Sequence, residues 1–591
     1  MTENRANLSL LIHRAAFLIQ RFRSLLESYV TTYYCEDGAC NLIPAWTKEP
    51  GLGLEDLCYL LSGFLPNLDT QSTKCRPTRP LPLSLLAYRT ACLATQLNVC
   101  ASDDSSFSDA PTWQHDPILF SNSTILTNLL KPLTELPDAW DSTTLKRDKH
   151  VVQFRRHLTP KKLHEIDRHS LVIYTLADAI ETEKKTAPLV IDIGSGQGHL
   201  SRKLSLYHGL RVLNLEVDET HVRKASQFDE KTKSYLRKKI RTASSPSDHP
   251  NPEAVLRSPV SLSKRITNST SSSELSNLIS RSEAEGLLPN PSSNQPYPPP
   301  LVLLNGLHAC GDLSTTVLRL FTEMDCACCA ITVGCCYMKI TATEIEDELS
   351  NIRGTRRCPQ SSQQLWHPKS HCLQHYSLGL SYGILEAACH SIGDYLGRLR
   401  LAVDSGNQDH LLVHGYRALF ELLMKRRCSA CPYPDQIPVT RTIRCSVKRT
   451  TDMDFYTYSK LLLSRLAKVH RDRVTNATDR DNDQSDDHDE NNHQRTLFAP
   501  FTREEVQHAL DEIGPNLSPD KLWLPIVRYH VFRLMLAPVV EATILLDRLL
   551  RLQEMGFDAC LLRVFDYTVS PRNIALIALR TDASTFGQTN S

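Results

Sequence analysis

A short glycine-rich loop is the part of the sequence best suited to chemistry. Its residues are Asp192-Ile193-Gly194-Ser195-Gly196-Gln197-Gly198. The apolar run 189–193 predicts a strand, and the residues from 198 onward predict a helix. Glycines at alternate positions let the backbone turn sharply and approach a ligand without a Cβ in the way. The order strand, tight loop, helix therefore predicts a cofactor site.

The acid two residues before the first glycine discriminates between cofactor classes. Dinucleotide enzymes use GxGxxG and place a pyrophosphate at the helix N-terminus, whereas this chain has GxGxG after a carboxylate. That carboxylate would repel phosphate, which disfavours a nucleotide-dependent oxidoreductase. It suits the cationic, phosphate-free S-adenosylmethionine, which we expect to bind at Asp192, Gly194, Ser195, Gly196 and Gly198.

A second acid should close the next strand and bind the ribose hydroxyls of the cofactor. Glu216 ends the apolar segment 212–215 and lies 24 residues after Asp192. Asp218 is the near alternative, and both acids could also be incidental neighbours of a tight turn. The β-α-β context of the loop favours the cofactor site.

Two later loops carry reactive side chains where a substrate should lie, because ligands of open parallel sheets bind beyond the carboxyl ends of the strands. The loops cover 305–313 and 333–339, and we predict catalytic roles for His308, Asp312 and Tyr337. His308 is the best candidate for a base, with a helix-capping histidine as an equal alternative. Asp312 could equally be an N-cap.

Three cysteines, Cys310, Cys335 and Cys336, fall on the same two loops. They lack the four-ligand spacing of a zinc site, and adjacent cysteines cannot easily both point at one tetrahedral metal. The CxxC at 428–431 has no partner pair nearby. We therefore expect no metal, and thiols that shape the pocket.

Two segments near the predicted cofactor strand are basic. Residues 146–168 hold eight Lys or Arg against three acids, and 231–241 add six more bases. They could be solvated faces, or a rim that binds the phosphates of a nucleic acid. In the second case Lys161 and Lys162 would lie near the cofactor or an RNA phosphate.

Strands and helices alternate around these motifs, which predicts a parallel sheet. Thr159 and Pro160 begin an amphipathic helix, and the following segments carry the pattern. Predicted strands cover 189–193, 211–217, 301–305 and 328–334, and predicted helices cover 198–207, 219–238 and 312–321. The segment 241–300, with 15 Ser and 10 Pro, is an expected insertion that hides a strand at 261–268 and a helix at 272–279.

The composition of the whole chain limits the function classes. Lys and Arg number 67 against 66 acids, which excludes a globally basic nucleic-acid coat. We find neither a secretory signal nor an 18-residue window free of charge. The 19 cysteines are odd in number and scattered, so a complete intrachain disulfide set is impossible. We expect an intracellular protein, cytoplasmic or nuclear, without a membrane span.

Several segments resemble the methyltransferase-like protein 25 family, which includes proteins labelled as containing an rRNA adenine dimethylase domain. They read LTPKKLHEIDR, IDIGSGQGHLSRKL, LHACGDLS, VGCCYMKIT, RYHVFRLMLAPVVEATILLDRLLRLQEMGF and FDYTVSPRNIALIALR. The resemblance implies a class I methyltransferase fold that binds S-adenosylmethionine, and we expect the substrate to be RNA. The H-x-C-G and CC-Y loops are also similar, more distantly, to a tRNA 2′-O-methylating family.

One departure from related methylases concerns the acceptor. Adenine-N6 methylases place N-P-P-Y or N-L-P-Y after the fourth strand, whereas this chain has Asn305-Gly306-Leu307-His308, without proline or aromatic ring. This argues against adenine dimethylation. Two alternatives to an RNA methyltransferase stay open: a methyltransferase acting on protein, and a non-catalytic protein that keeps the cofactor fold.

The expected architecture is α/β, a Rossmann-like class I methyltransferase sheet that is discontinuous in sequence. A helix over 522–555 and a hairpin over 559–565 and 574–579 should return to the edge of the same sheet. The predicted parts are a helical N-terminal domain (1–150), a methyltransferase core (151–345) with its insertion at about 241–300, a mostly helical insertion (346–520) with an acidic linker at about 471–497, the C-terminal completion (521–580) and a tail (581–591).

Overall fold

The structure is a computed structural model that describes most of the chain. The described residues are 2–27, 30, 33–34, 51–65, 77–97, 116–134, 154, 158–243, 256–284, 300–340, 365–429, 447, 453–478 and 497–580. Most of the predicted acidic linker, the second cysteine of the CxxC, the tail, and parts of the basic segment 146–168 and of the Ser/Pro-rich insertion lie outside these residues.

An eight-stranded sheet lies at the centre of the described part of the chain. Its strands are β1 (Ile118–Leu119), β2 (Leu189–Ile193), β3 (Arg211–Glu216), β4 (Val260–Ser263), β5 (Val302–Cys310), β6 (Ala327–Cys335), β7 (Asp558–Arg563) and β8 (Ile574–Leu579). Their spatial order is β1-β7-β8-β6-β5-β2-β3-β4. Strands β2 to β6 pair in parallel, whereas β8 runs antiparallel to both β6 and β7.

This order, with one reversed strand between two that run parallel to each other, is that of the class I methyltransferase fold. The predicted fold class is therefore confirmed. The C-terminal hairpin returns to the sheet as expected, because β8 inserts between β6 and β7. The short β1 adds an outer strand from a region that the sequence pattern had indicated as helical.

Helices cover both faces of the sheet and extend beyond it. They are α1 (Thr2–Arg21), α2 (Arg23–Glu27), α3 (Leu54–Ser62), α4 (Leu83–Leu93), α5 (Thr124–Thr134), α6 (Pro160–Lys184), α7 (His199–Leu206), α8 (Glu219–Ala243), α9 (Ser272–Ala284), α10 (Asp312–Glu323), α11 (His371–Gln374), α12 (Tyr382–Ala387), α13 (Ile392–Ser405), α14 (Asp409–Ser429), α15 (Phe455–Thr478), α16 (Arg503–Ile513), α17 (Trp523–Met535) and α18 (Ala537–Glu554).

The local sequence explains the elements that position the site. Strand β2 is apolar at four of its five positions and buried throughout, as expected for a parallel strand with both faces covered. Helix α6 begins where the Thr159 hydroxyl accepts a hydrogen bond from the backbone N–H of Lys162, with Pro160 in the first turn. It ends at Lys184, and the C-cap residue Lys185 is left-handed (φ 56°).

Two hydrophobic cores lie on opposite faces of the sheet, because alternate strand residues point to opposite faces. Leu189 and Ile191 belong to one core, which also contains residues of α1, α3, α13, α17 and α18. Val190 belongs to the other core, together with residues of α5, α6 and α7. Helices α14, α15 and α16 share a separate core. The domain boundaries at 150 and 345 stay a prediction, since α1 and α13 pack in the same core as the sheet.

One helical stretch of the described residues, Pro519–Glu554, is long and apolar enough to cross a membrane by length and composition. Its most apolar window has a mean hydropathy of 1.4, and 89% of that window is buried inside the protein. The stretch is divided at Leu536, between α17 and α18, and Pro538 lies in the first turn of α18. Its packing is that of a core helix.

Candidate active site

The glycine loop connects β2 to α7 in a conformation that requires glycine. Gly194, Gly196 and Gly198 have φ values of 76°, 58° and 67°, in the left-handed region that other residues rarely adopt. A Cβ at Gly198 would lie 3.2 Å from the Cβ of Ala225, whereas a Cβ at Gly196 would meet no atom within 4 Å. The Ser195 carbonyl accepts a hydrogen bond from the Gly198 N–H (3.0 Å). The loop thus presents open space on the side where a cofactor would lie.

The carboxylate of Glu216, at the end of β3, lies against this loop. Its Oε2 accepts a hydrogen bond from the Gly196 N–H (2.7 Å), and its Oε1 accepts from the N–H groups of Val217 (2.9 Å) and Asp218 (3.1 Å). One lone pair on Oε2 is left for a ribose hydroxyl, since each carboxylate oxygen can accept two bonds. Asp218 instead accepts hydrogen bonds from Thr220 at the start of α8, which lowers its pKa.

Asp192 lies beneath the loop in a buried hydrogen-bond network. Its Oδ1 accepts a hydrogen bond from the Asn305 amide (2.8 Å), and its Oδ2 accepts one from the Ser201 hydroxyl. The Asn305 Oδ1 accepts in turn from His169 Nε2 (2.7 Å). Burial raises the pKa of Asp192 and lowers that of His169 to about 4. Asp192 thus supports the loop from below through both carboxylate oxygens, and its predicted contact with the cofactor stays a prediction.

His308 lies in a β-bulge of β5, between the positions where Gly306 and Ala309 pair with β6. Strand β5 therefore continues to Cys310, through residues that the sequence pattern had indicated as a loop. The backbone of His308 is left-handed (φ 57°), and such bulges re-aim a side chain next to a site. Its Nε2 lies 2.9 Å from Glu165 Oε2.

Glu165 on α6 links several parts of the site. It is 3% exposed and accepts a hydrogen bond from the Ser570 hydroxyl (2.6 Å), and Lys161 Nζ lies 3.9 Å from its Oε1. Burial alone would lower the pKa of His308, but the Cys335 thiol and the Glu165 carboxylate raise it to about 9. This raised pKa favours the protonated imidazole, which fits an orienting role, and the role of His308 as a base stays a prediction.

The other two predicted catalytic residues are placed differently. Tyr337 is 1% exposed, and its hydroxyl donates a hydrogen bond to Glu541 Oε1 (2.9 Å). The Arg572 guanidinium lies 5.5 Å from its ring, so Tyr337 links the turn after β6 to α18, and its catalytic role stays a prediction. Asp312 is half-buried and is the first residue of α10, after the N-cap Gly311. At this position its carboxylate interacts favourably with the helix dipole.

The three loop thiols come together at the ends of β5 and β6. The sulfur atoms of Cys310, Cys335 and Cys336 all lie within 4.8 Å of one another, and those of Cys335 and Cys336 are 3.6 Å apart. The expectation that the adjacent Cys335 and Cys336 cannot both point at one metal is therefore wrong, since their side chains point the same way here.

Three residues of this site were missed from the sequence: Glu165, His169 and the buried partner Ser201. Glu165 and His169 are four residues apart on α6, and this spacing places them on one helix face. Their polarity on a face that buries Ile166 and Ile173 was the available signal. Their partners could not be read from the pattern, because they lie far away along the chain.

The glycine loop, Glu216 and the strand order define a class I methyltransferase domain, and comparisons with known proteins agree. A family model described as a methyltransferase domain matches residues 161–343. The residues present fit S-adenosylmethionine as the cofactor: Glu216 would hold the ribose, and the open side of Gly196 leaves room for the ligand. S-adenosylmethionine supplies the methyl group when bound, and positioning of the acceptor falls to the side chains of the protein.

The resemblance to the methyltransferase-like protein 25 family is also confirmed. The chain is 23% identical over 512 residues to the human protein named "Probable methyltransferase-like protein 25", a match that covers 71% of this chain and 74% of that protein. It is 25% identical over 280 residues to the mouse protein of the same name, covering 47% of this chain and 37% of that protein.

Two solved structures align with parts of the chain, and both are methyltransferases with bound SAH. Magnesium protoporphyrin IX methyltransferase from Synechocystis is 16% identical, with 34% of this chain and 70% of that chain covered and a TM-score of 0.17. Plantazolicin methyltransferase is 12% identical, with 49% and 81% covered and a TM-score of 0.16. These TM-scores are too low to support an inference, so the fold assignment rests on the strand order.

Proposed function

We propose that this S-adenosylmethionine-dependent methyltransferase acts on RNA. The observation that carries the proposal is a surface cavity of about 490 Å³ beside the first turn of α7 and along α8. Its lining includes the rings of Phe154, Phe228 and Tyr235, and the cations Lys231 and Lys238. Flat rings together with cations suit the stacking of unpaired bases and the binding of their phosphates.

The cations around this cavity differ in what they do. Arg202 forms a buried ion pair with Asp229 (2.6 Å) and donates a hydrogen bond to the Gln197 carbonyl (3.1 Å), so it ties the glycine loop to α8. Lys231 and Lys238 are exposed, and their ammonium groups can approach a phosphate. The described part of the second basic segment thus supplies cations to the cavity, as a nucleic-acid rim requires.

The environment of Asn305 disfavours the exocyclic amine of adenine as the acceptor. Asn305 occupies the position at which adenine-N6 methylases hold that amine, but it is 0% exposed. Its amide is already engaged by Asp192 and His169. This supports a different acceptor group on RNA.

The free thiols among the described residues suit a reducing compartment, the cytoplasm or the nucleus.

Transfer of a radiolabelled methyl group to total RNA and to total protein tests the proposal. We expect label in RNA, and a loss of about tenfold or more when Lys231 and Lys238 are both changed to alanine, since each phosphate contact contributes to affinity. The control variant changes two exposed lysines outside residues 161–343, Lys131→Ala together with Lys460→Ala. It should label RNA as the wild-type protein does. Label only in protein would refute RNA as the substrate.

A further inference from the structure

Three thiols meet at the ends of two neighbouring parallel strands. Cys310 and Cys335 are register partners, the last residues of β5 and β6. Cys336 follows in a left-handed conformation (φ 40°). Consecutive residues of a strand point to opposite faces, and this left-handed turn brings the Cys336 side chain to the same side as its neighbour. The cluster is thus built by the backbone.

The sulfur atoms lie close enough together for three thiolates to reach one metal ion. A tetrahedral zinc ion with Zn–S bonds of about 2.3 Å holds its sulfur ligands about 3.8 Å apart. Here the sulfur atoms of Cys335 and Cys336 are 3.6 Å apart, and Cys310 lies within 4.8 Å of both. Thiolates are ligands that select zinc over the harder divalent cations.

A fourth ligand can come from His308, whose ring has to shift to reach an ion held by the three thiols, because its nitrogens lie outside the group of atoms within 4.8 Å of one another. Its Nε2 is engaged by Glu165 (2.9 Å), which leaves Nδ1 as the atom available to a metal. That Nδ1 is buried and has no hydrogen-bond partner among the described residues. A metal-bound histidine whose other ring nitrogen pairs with a carboxylate is the usual arrangement of metal sites.

We propose that Cys310, Cys335, Cys336 and His308 bind a zinc ion at the carboxyl ends of β5 and β6. Four protein ligands close the coordination sphere, so the ion is structural and does not activate water. It fixes the bulge of β5 against β6 beside the cofactor loop. Binding displaces protons from the thiols and the imidazole, so affinity rises with pH. The site stands independently of the substrate proposed above.

Metal analysis of the purified full-length protein tests the site directly. After loading with zinc and removal of excess, we expect about one zinc per chain. Cys310→Ser and Cys336→Ser should each weaken zinc binding by about tenfold or more, by analogy with the effect of lost site residues. The matched control is Cys326→Ser, a half-buried cysteine just before β6, which should keep the metal.

A second experiment measures the absorption of bound cobalt and uses a variant that is expected to keep the metal. With cobalt in place of zinc, wild type should show thiolate-to-cobalt charge-transfer absorption, and His308→Cys should keep the metal and increase that absorption by adding a thiolate. Wild-type protein that retains no zinc, or an equal loss of metal in Cys326→Ser and Cys336→Ser, would overturn the proposal. Absorption in His308→Cys that does not exceed the wild-type value would remove His308 as a ligand.

Discussion

The substitution Asn305→Leu should damage the buried network beneath the glycine loop. Leucine nearly preserves the volume but removes the donor to Asp192 Oδ1 and the acceptor for His169 Nε2, two hydrogen bonds of 2.8 and 2.7 Å. Each buried group left without a partner costs about 1–3 kcal/mol, and more if it is charged. Since Asp192 keeps only its bond from Ser201, we expect a loss of about 3–5 kcal/mol.

Urea unfolding of the full chain measures this loss, with Asn214→Leu as the matched control. Asn214 is 1% exposed, lies opposite Asp192 in the register of β2 and β3, and donates one bond to the neutral hydroxyl of Ser261 (3.0 Å). We expect about 1 kcal/mol for this control. If Asn305→Leu costs no more than Asn214→Leu, the network does not hold Asp192 as described.

Three further predictions concern the surroundings of the site. Burial lowers the folded-state pKa of His169 from 6.5 to about 4. Between these two pH values the unfolded chain binds a proton at His169 and the folded protein does not, so the free energy of unfolding is highest above pH 6.5 and falls as the pH approaches 4. The total loss from this histidine is up to about 3 kcal/mol. His169→Gln, which cannot titrate, should show a flatter fall in unfolding free energy over this window, and parallel curves would contradict the assignment. Tyr337→Phe removes the bond to Glu541 and should cost about 1 kcal/mol with an unchanged methyl-transfer rate; a tenfold slower rate at full stability would support the catalytic role predicted from the sequence. Gly198→Ala should destabilise by more than Gly406→Ala, because both have φ of 67° but only Gly198 also meets a neighbouring side chain; equal losses in urea unfolding would exclude the contact as a cause.

The sequence was most informative where local signals and the sheet agree. The bounds of β2 and β8 match the predicted strands, and the strand and helix hidden in the Ser/Pro-rich insertion appear as β4 and α9. Thr159 correctly predicted the start of α6. The alternation of strands and helices correctly predicted parallel pairing in the sheet. Continuous apolar runs, capping residues and glycine punctuation are local features, so a single sequence contains them.

The parts that could not be predicted depend on contacts between distant segments. Strand β5 extends beyond the apolar segment 301–305, because its pairing with β6 resumes after the bulge at His308. The partners Asn305 and His169 are separated by 136 residues, and no periodicity connects them. The packing of Tyr337 was missed for the same reason, because its partner Glu541 lies on the C-terminal helix α18.

Calorimetric titration of the full-length protein with S-adenosylmethionine tests the central claim most directly. We expect one binding site, and Glu216→Ala should weaken binding by about ten- to a hundredfold, since hydrogen bonds to a carboxylate contribute about 1.5–3 kcal/mol. The matched control Asp218→Ala removes the neighbouring acid, which caps α8, and should bind as wild type does. Absence of binding by the wild-type protein, or equal weakening in both variants, would contradict the account.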